Sequence, residues 1–143
     1  MGYHHLDPAA MSPSPDHPCD RRSLAEAAEL AQLAAAVYAL EPGEQLSTQY
    51  HYHDQREELF YVLAGDLHVE TPDETFVVGP DEVFVVDPES PIRPHNPASA
   101  DESARVLGVG APKFDIGRPY DPDADDAVGD EGDTGDGGSA DTR

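Results

Sequence analysis

His51-Tyr-His-Asp-Gln-Arg-Glu-Glu-Leu-Phe-Tyr-Val-Leu-Ala-Gly65 is the stretch whose reading decides the fold. In an extended chain, successive side chains point to opposite faces. Thr48–His53 read as a strand therefore places Gln49, His51 and His53 on one face and Tyr50 and Tyr52 on the other. Glu58–Leu63 is rich in β-branched and aromatic residues and stops at Gly65, which predicts a second strand after a short turn. Two imidazoles at i and i+2 share a side, and a carboxylate opening the next strand can close on them. That donor set suits a borderline divalent metal such as Zn, Fe, Mn, Ni or Co. His-x-His alone is weak evidence, because two surface histidines on a strand would give the same pattern.

Strand signals continue outward from this hairpin. Val37–Leu40 runs into the turn Glu41-Pro-Gly43, Leu67–Glu70 into Thr71–Glu74, and Thr75–Val78 into Gly79-Pro-Asp81. Val83–Val86, the proline-rich segment 88–97 and Ala104–Val109 follow. Short strands at close intervals, with Gly and Pro between them, predict an all-β sandwich or barrel. Upstream, Ser23-Leu-Ala-Glu26 has the form of a capping box and predicts a short helix over about 24–30. Residues 1–22, with Pro8, Pro13, Pro15 and Pro18, read as an irregular arm, and 23–118 as the barrel with its leading helix. Residues 119–143 are mostly Asp, Gly and Ala and read as a disordered acidic tail.

The spacing His51-x-His53, four residues, Glu58, six residues, Gly65 resembles the first motif of the cupin family. Asp81–Pro91, with Asn96 beyond it, resembles the second. The resemblance covers about 33–111 and implies a double-stranded β-helix, the jelly-roll barrel. It also implies a metal held between the sheets by the first motif's two His and one Glu, with a His from the second. Here the sequence departs from the family pattern: Ile92 stands where the fourth ligand is expected, and Asp87 and Glu89 replace the motif's Pro and Gly. His95, three residues on, is the alternative fourth ligand.

Three arrangements are open at this point. His51, His53 and Glu58 hold the metal alone; His95 joins them; or the barrel binds a small molecule without metal. Gln49, Phe60, Val62 and Ile92 are expected to line the pocket, and Glu58 is the candidate catalytic base. Arg93 reads as a rim ion pair or as a contact to a substrate anion. The resemblance implies either a metal-dependent enzyme acting on a small polar molecule, isomerase/epimerase-like or dioxygenase-like, or a non-catalytic binding or sensor module. No helix-turn-helix accompanies the barrel, which argues against a DNA-bound sensor.

Composition narrows the partners. Thirty acidic residues against eight basic ones, seven Arg and the single Lys113, give a net charge of −22. That argues against nucleic acid or an anionic membrane as partner. Nine of the acids lie within 121–141, so the tail accounts for under half. The lysine-poor, acidic balance resembles that of salt-in halophiles. The lone Cys19 cannot form an internal disulfide and reads as structural, in a cytoplasmic setting. Nothing reads as a signal peptide or a membrane span. A homodimer is expected, because the family resemblance implies one and an exposed sheet edge tends to be covered.

Overall fold

The computed structural model describes residues 2–123. The tail expected over 119–143 therefore lies outside the described residues from 124 onward. After a single 3-10 turn at Pro8–Ala10 the chain enters β1 (Asp20–Ser23), α1 (Leu24–Ala28) and β2 (Ala34–Leu40). There follow β3 (His51–Tyr52), β4 (Glu57–Ala64), β5 (Leu67–Glu70), β6 (Thr75–Val78), β7 (Val83–Val86), β8 (Arg93–His95), β9 (Ala104–Ala111) and β10 (Arg118–Pro119). No described helix is long and apolar enough to cross a membrane.

One sheet has five antiparallel strands in the order β1-β2-β9-β4-β7. Opposite it lie the three-stranded sheet β6-β5-β8 and the pair β10-β3. A bridge between His51 and Ile92 joins this pair to the three-stranded sheet. The two layers close face to face as a jelly roll. Alternation accounts for the filling: Phe60 and Val62 of β4, Leu67 and Val69 of β5, and Val106 of β9 all point inward. With Leu40, Leu46, Val78, Val86, Ile92 and Cys19 they form one apolar cluster. Gly65 opens the β4–β5 turn at φ +72°, where a Cβ would meet the Ser103 carbonyl at 2.3 Å, so only glycine fits.

Two local readings are revised. The arm does not stay irregular to residue 22: Asp20–Ser23 pairs with Ala36–Ala39 as the sheet's outer strand. Three charged or polar residues after Pro18 carry no strand alternation, but β2 offered an unpaired edge. The strand expected over 48–53 shortens to His51–Tyr52, because Ser47–Tyr50 bends and takes no ladder partner. The capping reading holds for Ser23, whose Oγ accepts from the Glu26 amide at 3.0 Å, and the helix closes at Glu29 in the left-handed region.

Candidate metal centre and its cavity

One isolated bridge and one short ladder hold the histidine strand. His51 exchanges both backbone hydrogen bonds with Ile92, at 3.2 and 2.9 Å, and β3 pairs with β10 on its other side. This keeps the alternation, so His51 and His53 both point into the barrel and are buried. Glu58 enters from the facing sheet, near the start of β4, where β7 and β9 flank it. One donor atom from each of His51, His53 and Glu58 lies within 4.8 Å of the others. Nε2 of His53 is 3.9 Å from Oε2 of Glu58.

The electrostatics suit ligation by nitrogen lone pairs. His51 donates from Nδ1 to the Gln49 carbonyl at 3.0 Å, which assigns its proton there and turns Nε2 inward as the donor atom. His53 is pulled down to about 4, mainly by burial and further by the charges of Arg56 and His51, so its ring is neutral at pH 7. Its Nδ1 is buried without a well-formed hydrogen bond. The Asp115 backbone favours the protonated ring but does not offset burial. Burial raises the Glu58 carboxyl, and Arg56 pulls it back, with Nη1 3.6 Å from Oε2. Two imidazoles, one neutral at pH 7 and the other with its Nε2 turned inward, together with a carboxyl group fit a divalent metal. Donors about 2.1 Å from a metal stand about 3–3.5 Å apart, so side-chain closure of about an ångström would complete the set.

The donors open onto a cavity of about 680 Å³. Of the residues expected to line it, Phe60 and Ile92 do. Val62, fully buried, belongs to the core beside it, and Gln49 contributes its carbonyl to His51 rather than a lining side chain. The structure does not bring His95 to the donors. Pro94 and Asn96 are the buried residues around it, and alternation turns His95 to the other face. Its ring lies 5.9 Å from that of His68, its register partner. The position facing the donors belongs to Ile92, which is apolar. Arg93 lies on that outer face too, paired with Glu70 at 2.8 Å. Cys19 is buried, and burial drives its thiol up to about 12, consistent with a structural role.

Several lining residues carried no pattern in the sequence. Arg56 stands inside the quoted stretch, between the histidines and Glu58, and its guanidinium donates to the carbonyls of Pro112 and Lys113. Asp115 accepts from the amides of Gln55 and Arg56 at 2.7 Å each, clamping the β3–β4 turn. Arg118 reinforces this clamp through Asp54 at 2.6 Å. Arg21, Lys113, Phe114 and Ile116 complete this side of the cavity. Sequence spacing could not reveal them, because β1, β4 and the segment after β9 meet only through strand pairing. Their one signal is scarcity, Lys113 being the chain's single lysine.

The Cupin domain family matches residues 36–110. No curated protein matches the sequence. Among solved structures, a sugar phosphate isomerase of the cupin superfamily from Silicibacter pomeroyi is 20% identical at a TM-score of 0.69, covering 82% of each chain. The polyketide cyclase RemF from Streptomyces resistomycificus is 21% identical at 0.66, over 82% of this chain and 85% of that one. A provisionally assigned sugar phosphate isomerase from Acidithiobacillus ferrooxidans is 24% identical at 0.61, over 69% of this chain and 62% of that one. At these identities the likeness is one of fold.

Proposed function

This chain belongs to the cupin domain family, and from that premise we propose that it is a metal-dependent enzyme acting on a small polar molecule within its barrel. The observation that carries the reading is the convergence of His51, His53 and Glu58, from two facing sheets, onto one cavity. A divalent metal bound there (Zn, Fe, Mn or Ni) would supply Lewis acidity or dioxygen activation. The chain's own residues do the rest. His51 and His53 orient the centre, Phe60 and Ile92 exclude water from one wall, and Glu58, raised by burial, is the group placed to hold or move a substrate proton. The names of the neighbouring structures support a sugar isomerase- or epimerase-like reaction, and the open two-His, one-carboxylate set supports a dioxygenase-like one. Fold alone does not choose between them.

A second reading is favoured by Ile92. With an apolar group at the fourth-ligand position, the barrel would bind its small molecule without chemistry, as a binding or sensor module. Metal content by mass spectrometry decides between the two, on full-length protein without a histidine tag and beside the His51→Ala/His53→Ala double variant. Close to one metal per chain in wild type and none in the variant supports the enzyme. Both proteins empty after incubation with Fe, Mn, Ni and Zn would overturn it.

A homodimer and a cytoplasmic, high-salt setting belong to the same proposal. Leu59, Val83 and Val85 are exposed on the outer face of β4 and the edge strand β7, an apolar surface on a chain of net charge −22. Light scattering at high salt should return twice the chain mass.

A further inference from the structure

In a chain with so few cations, their placement carries information. Seven of the eight basic residues are described, and one of these, Arg105, is exposed on β9. Arg22, Arg93 and Arg118 each bond a carboxylate at 2.6–2.8 Å, with Asp20, Glu70 and Asp54 respectively. Arg21, Arg56 and Lys113 behave differently. Arg21 donates to the Ser14 hydroxyl at 2.8 Å, and its one carboxylate partner among the described residues, Glu26, stands at 3.9 Å and is itself 74% exposed. Arg56 approaches Glu58 at 3.6 Å. Lys113 donates to the Leu30 carbonyl at 2.8 Å and makes no carboxylate contact among the described residues. The same three line the main cavity and also a second one of about 210 Å³ that shares its wall, so they stand where the two meet.

Three cations gathered at an internal surface repel one another, and their desolvation is costly unless a counter-charge is present. The two carboxylates on the cavity are shared: Asp115 accepts from two backbone amides, and Glu58, 3.6 Å from Arg56, also belongs to the donor group. Among the described residues, the carboxylates within 4 Å of these three cations are Glu58 beside Arg56 and the exposed Glu26 beside Arg21, and Lys113 has none. The apolar side chains of Phe114 and Ile116, 82% and 64% exposed, sit on the same cavity and offer a surface to a carbon skeleton.

We propose that the cavity binds a small organic anion, its phosphate or carboxylate group held by Arg21, Arg56 and Lys113 and its remainder extending toward His51, His53 and Glu58. Guanidinium forks and a point-charge ammonium together suit either anion. This deepens the enzyme reading by naming a substrate class and rests on the same cavity, but not on the metal.

The test is calorimetric titration of the full chain with inorganic phosphate, a hexose phosphate, the same hexose and succinate. Wild type is compared with Arg21→Gln, Lys113→Gln, Lys113→Arg and, as a cation outside the cavity, Arg93→Gln. At least one anion should bind, with Kd raised tenfold or more in R21Q and K113Q. Affinity should be largely kept in K113R and change less than twofold in R93Q. Tighter binding of the hexose phosphate than of succinate identifies the phosphate ester; the reverse order identifies a carboxylate. The proposal is overturned if no anion binds wild type, if R21Q and K113Q bind as well as wild type, or if R93Q loses as much as they do. Thermal unfolding midpoints of the variants near wild type, together with K113R, separate lost charge from lost structure. Metal analysis of the same samples keeps the readings apart. Metal held with no anion bound refutes the anion alone; anion bound with no metal held refutes the metal alone.

Discussion

Ile92→His is the perturbation with the most information about this site. Residues 51 and 92 face each other as a hydrogen-bonded antiparallel pair, so their side chains leave the sheet on the same face, with Cβ atoms about 5 Å apart. A histidine at 92 would therefore enter the cavity beside His51 and offer a fourth donor. Ile92 is 3% exposed, and losing a buried side chain of that size costs about 1.5–3 kcal/mol, partly recovered by the imidazole's own carbon atoms. An imidazole nitrogen without a partner adds about 1–3 kcal/mol. The metal-free variant should thus be about 2–4 kcal/mol less stable than wild type, a fall in unfolding midpoint of about 8–16 °C for a chain of this length. Zinc should reverse most of that. If the fourth donor tightens binding a hundredfold, zinc saturation returns about 2.7 kcal/mol more to the variant than to wild type. Urea unfolding with and without zinc measures both quantities, and the His51→Ala background should abolish the gain. An equal loss of stability with and without zinc, at unchanged zinc affinity, would show that position 92 does not face the donors and would refute the assembled site.

Gly110→Ala should weaken metal retention about 10–100-fold while the chain still folds, because its Cβ would press on Cγ of Glu58 at 3.1 Å and Cδ of Arg56 at 2.9 Å, displacing a donor and its partner; metal titration reads this directly. Asn96→Ala should cost about 1–3 kcal/mol in urea unfolding and leave metal binding intact, since the Asn96 amide donates to the carbonyls of Leu40 at 3.0 Å and Glu102 at 2.9 Å, away from the donors. Cys19, driven up to about 12 by burial, should resist thiol reagents at pH 8 until the chain unfolds. The linked effect on stability has a definite sign. Below pH 9 the thiol is protonated in both states and costs nothing; above it the unfolded chain alone releases the proton, so stability falls by up to about 1.4 kcal/mol per pH unit. Cys19→Ala should flatten that slope in unfolding curves between pH 8.5 and 10.

What could be read from the sequence was local. Strands Leu67–Glu70, Thr75–Val78 and Val83–Val86 stand where alternation and turn residues put them, because each is bounded by its own Gly, Pro or Asp. The inward parity of His51, His53 and Glu58 also followed from period two along a strand and a short turn. The shortening of the histidine strand did not, since its ladder partners are a single residue, Ile92, and the two-residue β10, neither of which advertises itself as a strand. Arg21, Arg56 and Lys113 were illegible for a related reason. Pairings β1–β2, β2–β9 and β4–β9 bring together residues from three distant parts of the chain, and no periodicity within any one part records that meeting.

The two halves of the donor set rest on unequal foundations. Glu58 stands on β4, which is hydrogen-bonded along both flanks and lies within the five-stranded sheet. His51 stands on a two-residue strand held by one bridge and one short pair, with His53 just beyond it. Amide hydrogens at 51–54 should therefore exchange with solvent orders of magnitude faster than those of β4 and β9. Whatever spans the three donors acts as a rivet between a stiff plate and a loose one. Loading the site should slow exchange chiefly on the histidine side, spreading outward from His51 through Ile92 into β8 while β4 barely responds.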